Sequence, residues 1–163
     1  MKKIGYTTGV FDLFHVGHLN ILRRARQECD HLTVGVTTDE LCLQRKGIKP
    51  VIPLKERMEI VSSIKYVDSV VPQTTMNKFE AWSNLKFDLM FVGDDWKGTD
   101  KWNHLEKEFL KLGVRIIYFP YTDHTSSTKL RSVLDKLQAA ELPHNRHQIS
   151  KDADKVLPER SLL

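Results

Sequence analysis

The sequence predicts an α/β fold, a doubly wound parallel five-stranded sheet with helices on both faces. Three observations predict it. Short apolar runs bounded by turn signals recur five times, and the longer charged segments between them carry apolar residues at helical spacing. Strands that alternate with helices imply right-handed crossovers, which leave the strands parallel and the helices on either side. Each cluster of glycines and polar residues able to do chemistry follows a strand rather than preceding it. Sheets of this kind bind ligands at the carboxyl ends of their strands, near the point where strand order reverses.

Taken in order, the apolar runs lie at residues 4–8, 31–37, 67–71, 87–92 and 114–119. After the first, Leu19, Ile21, Leu22 and Ala25 approximate one helical face. Helical spacing recurs at 56–65, 77–85, 102–112 and 126–137. Residues 45–50 read as a flexible cationic loop, and Pro53 and Leu54 open the helix after it. The segments that follow strands, and so fall at the binding edge, are 9–18, 37–49, 93–98 and 120–128.

With 163 residues the chain has room for one domain with a packed core. Beyond Leu142 the sequence loses its period, so we divide it into a folded domain, 1–140, and a mobile C-terminal tail, 141–163. Lysine and arginine total 25 against 21 acidic residues, a formal charge of +4. Without a dense basic run interleaved with aromatics, that excess fits phosphate-rich small molecules and gives no reason to expect nucleic acid. No apolar run is long enough to span a bilayer, and the Met-Lys-Lys start lacks a signal-peptide core, so the expected location is cytoplasmic, with no membrane partner. Cys29 and Cys42 are too few for a disulfide framework or a cysteine metal site and read as reduced packing residues.

The most informative stretch is Gly9-Val10-Phe11-Asp12-Leu13-Phe14-His15-Val16-Gly17-His18. It reads as strand, turn and helix start, a junction where unpaired N–H groups and the positive end of a helix dipole favour phosphate. Two histidines three apart lie on one side of the first helical turn, and Gly17 lets a ligand approach the backbone. An imidazole offers an anionic oxygen a hydrogen bond, and it can take a proton as negative charge develops.

This pattern resembles the signature of the nucleotidyltransferase superfamily and, within it, the cytidylyltransferases of the glycerol-3-phosphate group. The similarity covers about residues 3–137, with segments in matching order. It implies a Rossmann-like nucleotidyltransferase fold and transfer of CMP from CTP to a small phosphorylated alcohol, with release of pyrophosphate. It further implies Mg²⁺ carried on the triphosphate, no metal site of the protein's own, and a homodimer. By the same resemblance His15, His18, Lys46 and Arg57 are catalytic, and Gly9, Val10, Phe11, Asp12 and Gly17 bind nucleotide.

The remaining segments fit that pattern. In the family a lysine of the 45–50 loop contacts the phosphates and another the acceptor; Lys46 and Lys49 both qualify here. Arg57 matches a Glu-Arg element whose arginine points back to the site, as a fork able to clamp a phosphate. Gly93-Asp94-Asp95-Trp96 matches a segment that contacts nucleotide, through Asp94, or acceptor, through Asp95; Lys78 matches a lysine that receives the acceptor phosphate. Thr122, Ser126, Ser127 and Thr128 match a serine-threonine motif that binds nucleotide and precedes the last helix. Three departures stand out: Tyr121 replaces an arginine, His124 a glycine, and Val10 a threonine found in many members. They leave two other readings open, an adenylyltransferase using ATP and a non-catalytic, nucleotide-binding regulatory subunit.

Overall fold

The computed structural model describes residues 2–120 and 126–152, with side chains as far as residue 140. It forms two compact units, Met1–Ser127 and Thr128–Leu163. The first holds all five strands: β1 (Ile4–Gly9), β2 (His31–Thr37), β3 (Ser69–Gln73), β4 (Leu89–Gly93) and β5 (Arg115–Phe119). All pairings are parallel and the order is β3-β2-β1-β4-β5, so the sheet reverses direction between β1 and β4. The predicted doubly wound α/β architecture is the observed one, and the reversal falls beside Gly9 and Gly93, both at strand ends.

Side-chain alternation along β1 explains the two layers. Tyr6 points to one face, where it packs with Phe87, Met90, Trp102, Phe109 and Val114 beneath α4 (Lys78–Leu85) and α5 (Asp100–Lys111). The other face is covered by α1 (Val16–Glu28) and α3 (Leu54–Ser62), through Leu22, Ala25 and Val61 against Leu32, Val34 and Phe91. Gly5 belongs to this face and has no room for a side chain, since a Cβ there would lie 2.6 Å from both Cys29 Sγ and the Phe91 ring. Both cysteines are buried and free, as packing residues should be.

Two differences from the sequence expectation have local causes. The 45–50 segment is not a loop throughout, because α2 (Asp39–Lys46) forms ahead of it. Thr38 caps α2 by accepting from Leu41 N at 3.2 Å, acids open it, bases close it, and Gly47 ends it at φ 71°. With only Leu41 and Cys42 buried on its eight residues, its apolar period was too short to read. The third strand starts two residues later than expected, because Val67 closes a turn on Ile64 O and the Asp68 carboxylate accepts from Leu32 N at 2.7 Å. Pro72 is accommodated because β3 is an edge strand. The last helix is α6 (Ser127–Asp152). Among the described residues no helix is long and apolar enough to cross a membrane.

Candidate active site

The turn after β1 is strained and tightly tied. Phe11 and Leu13 adopt φ of 53° and 48°, a left-handed conformation that costs a side-chain-bearing residue energy and persists only where surroundings enforce it. The enforcement is visible. Asp12, 5% exposed, accepts from Val51 N and Ile52 N, each at 2.9 Å, while its carbonyl accepts from Ser127 Oγ at 2.6 Å. Phe11 is buried and its ring lies 5.2 Å from that of His18.

Both histidines build the start of α1. His15 is the N-cap, its Nδ1 accepting from Gly17 N at 3.0 Å; His18 Nδ1 accepts in return from His15 N at 3.4 Å. This is a capping box made of imidazoles. A ring nitrogen that accepts carries no proton, so each ring holds its hydrogen on Nε2 and has that N–H to offer elsewhere. The rings lie 4.1 Å apart. Burial pulls both pKa values down; for His18, burial first and then His15 outweigh the nearby Asp12 and set it at about 4. The pair is therefore neutral at pH 7, a set of N–H donors rather than fixed cations. Gly17 is buried beneath it.

Arg57 corrects one expectation. In place of a fork held out to phosphate, its guanidinium is 0% exposed and donates to Ile52 O at 2.8 Å, Thr37 O at 2.9 Å, Val10 O, and Asp39 Oδ1 at 2.5 Å. Buried in this way, it ties the ends of β1 and β2 to α2 and α3. Asp39, which the sequence did not single out, closes the network: its second oxygen accepts from Leu54 N at 3.3 Å, and Pro53 gives α3 no side-chain cap. A Thr-Asp pair at a strand end followed by a helix was the available signal, and it reads equally well as a simple cap.

On the α4 face, Lys78 reaches back across the strand end and donates from Nζ to Thr8 Oγ1 at 3.3 Å. Burial first, then the charges of Lys101 and Arg45, lower its pKa to about 8. Thr8 had escaped notice, although as the neighbour of Gly9 it shares the face of Tyr6. Lys46 and Lys49 are exposed, the first at the end of α2 and the second on the segment after Gly47. Gly9 ends β1, and Asp94 and Asp95 form an exposed single turn after β4. Among the described residues no group of three or more histidine, cysteine or acidic side chains could hold a metal ion. Ser126 and Ser127 belong to the first unit and Ser127 meets the histidine turn; Thr128 begins the second unit, and Thr122 lies outside the described residues.

The structure thus gathers His15, His18, Asp12 and Ser127 at the end of β1, with Lys78 beside Thr8 on the opposite face. Such a site can cradle a polyphosphate between backbone and imidazole N–H donors on one side and cations on the other. A family model described as cytidylyltransferase-like matches residues 6–133. The glycerol-3-phosphate cytidylyltransferase of Bacillus subtilis (strain 168) is 36% identical over 132 residues, 80% of this chain and 95% of that protein. An FAD synthase from Thermococcus sibiricus is 33% identical over 140 residues, 83% of this chain and 93% of that one. Among solved structures, a lipopolysaccharide core biosynthesis protein from Thermoplasma volcanium superposes with a TM-score of 0.63 at 25% identity, covering 77% of this chain and all of that one.

Proposed function

This chain belongs to the cytidylyltransferase-like family, and from that premise we propose that it transfers CMP from CTP to a small phosphorylated alcohol, glycerol 3-phosphate being the first candidate, and releases pyrophosphate. The observation that carries this reading is the contact of Ser127 with the turn that holds two neutral, Nε2-protonated imidazoles, all at the point where the sheet reverses. A phosphate oxygen of the acceptor attacks the α-phosphorus of CTP in line, the bond from that phosphorus to the bridging oxygen breaks, and the departing pair of electrons leaves with pyrophosphate. No covalent enzyme intermediate is needed, so the protein supplies position and charge stabilisation.

Within this reading His15 and His18 donate to the oxygens of the five-coordinate α-phosphate and to the departing oxygen. Val10, Phe11 and Gly17 supply backbone and close approach, with Gly9 and Asp12 fixing their path. Lys46 and Lys49 close over phosphates from the segment after α2, and Asp94, Thr122, Ser126, Ser127 and Thr128 hold the nucleotide. Lys78 and Asp95 face the acceptor. Mg²⁺ would enter on the triphosphate and neutralise phosphate charge there. The working form is a homodimer, which sedimentation in dilute buffer tests.

A non-amine acceptor is favoured by Trp96, Trp102 and Tyr118. They form the kind of aromatic cluster that could take a quaternary ammonium, but the Lys97 ammonium already lies 5.9 Å from the Tyr118 ring centre. The similarity to an FAD synthase keeps ATP as the second nucleotide to test. Pyrophosphate release is measured with CTP or ATP against glycerol 3-phosphate, other alditol phosphates, phosphocholine and phosphoethanolamine. Turnover with CTP and an alditol phosphate is the predicted result. Turnover with ATP alone replaces the nucleotide, and binding without any turnover favours a regulatory subunit.

A further inference from the structure

We propose that the cleft between β3 and α4 binds a small primary amine with a hydrogen-bonding group at its far end, Glu80 and Asn84 holding the ammonium and Tyr6 the other end. The cleft is set back from the histidine turn, since Tyr6 precedes Gly9 by three positions on β1, roughly 10 Å from the end of the strand. Such a site is independent of which reaction the chain performs.

The floor of the cleft is a hydroxyl without a partner. Tyr6 lines the cleft yet is 2% exposed, and its ring stacks on Phe87 with centroids 4.9 Å apart, which fixes where the hydroxyl points. The hydroxyl lies over Gly35 of β2, where a Cβ would come within 2.6 Å of it; the register partner of Gly35 on β3 is Val71, a wall of the cleft. The side chain thus runs from β1 across β2 toward β3. Its hydroxyl makes no hydrogen bond to another described residue. Burial pushes its pKa up to about 12, so at neutral pH it remains an O–H that can donate and accept. A phenylalanine would fill the same space without an unmatched polar group, and a glycine inside a strand gives up a side chain. A ligand that takes the bond accounts for both.

The rest of the lining sets the class of ligand. The cleft holds about 230 Å³, below the roughly 300 Å³ at which pockets for drug-sized molecules begin, so its occupant is small. Val71, Ala81 and Leu85 give it apolar walls. Gln73 lines it too, but its amide is committed to Thr37 at 2.9 Å and to the Thr75 carbonyl at 3.0 Å. Glu80 is the one charged residue of the lining, and no cation stands there to receive a phosphate. It is exposed and, among the described residues, makes no ion pair. Asn84 follows it by one helical turn, which sets both acceptors on one side of α4. A primary ammonium matches that pair, a few methylenes match the walls, and a hydroxyl or carbonyl at the far end meets Tyr6. Anionic substrates are turned away by Glu80 and do not compete for the cleft.

The test is a calorimetric titration of the intact chain with 5-aminopentan-1-ol, beside 1,5-pentanediol, which lacks the charge, and 5-hydroxypentanoate, which reverses it. The amino alcohol binds saturably, the diol about fivefold or more weakly, and the hydroxy acid not at all. Glu80→Gln brings the amino alcohol down to the affinity of the diol. Tyr6→Phe weakens the amino alcohol about fivefold, the worth of one hydrogen bond. The same substitution leaves the melting temperature unchanged or higher, because the hydroxyl has no partner in the protein to lose; a tyrosine kept for the fold alone would lower it. Binding of the diol or the hydroxy acid as tight as that of the amino alcohol, binding indifferent to both substitutions, or no saturable binding overturns the site. Pyrophosphate release plays no part in the titration, so the site and the reaction stand or fall separately.

Discussion

The two sides of the strand edge are built on opposite principles. On the α1 side polar groups are tied down in advance: two imidazoles cap a helix through Nδ1, Asp12 holds two amides, and Arg57 spends its donors on three carbonyls and a carboxylate. On the α4 and α5 side the cations stand in one another's fields, Lys78 with Lys101 and Arg45. The first side is rigid before any ligand arrives, as suits donors that must meet a transition state at fixed positions. The second is looser, with Lys78 held through a single hydrogen bond to Thr8 at 3.3 Å. The difference teaches that a polar residue beside a candidate site can be spent on holding the fold.

Breaking the rigid side at its centre has the largest effect. Arg57→Ala leaves the Asp39 carboxylate without its partner and three carbonyls unpaired, and urea unfolding should show a loss of about 3–5 kcal/mol. Were Arg57 instead a phosphate clamp, the variant would lose affinity for CTP and keep its stability. His18→Ala comes next: turnover should fall about a hundredfold or more, with the far-ultraviolet circular dichroism spectrum unchanged.

Asp12→Asn tests the link between the histidine turn and the segment before α3. One of the two amide partners at Val51 and Ile52 loses its acceptor, for a loss of about 1–2 kcal/mol in denaturant unfolding. The smallest effect appears only in acid. The His18 pKa is about 4, below the ordinary value, so between pH 6.5 and 4 the unfolded chain binds more protons than the folded one. Stability therefore falls as pH drops through that window. His15, lowered in the same direction, adds to the slope. His18→Asn, which keeps an acceptor near the Nδ1 position, should flatten the melting-temperature profile between those limits and leave it unchanged above pH 7.

The framework and the histidine turn were legible because their signals are local: apolar runs set the strands, and Gly, Phe-Asp and two spaced histidines mark one turn. What escaped depends on long-range partners. Arg57 follows a glutamate at the start of a helix, and nothing in that pattern tells an outward fork from one turned in on Val10 and Thr37, 47 and 20 residues away. Asp39 and Thr8 are ordinary residues until Arg57 and Lys78 meet them. The short helix α2 hid behind its own caps. Local chemistry identified the motif; only the fold distinguishes donors offered to a ligand from donors already engaged.

The most direct measurement of the central claim is the rate of pyrophosphate formation from CTP and glycerol 3-phosphate by the intact chain and by His18→Ala, side by side. The account predicts steady release with one CDP-alcohol formed per pyrophosphate, slowed about a hundredfold or more by the substitution while the protein stays folded. Equal rates from the two proteins would contradict it, because the paired imidazoles would then be no more than a helix cap.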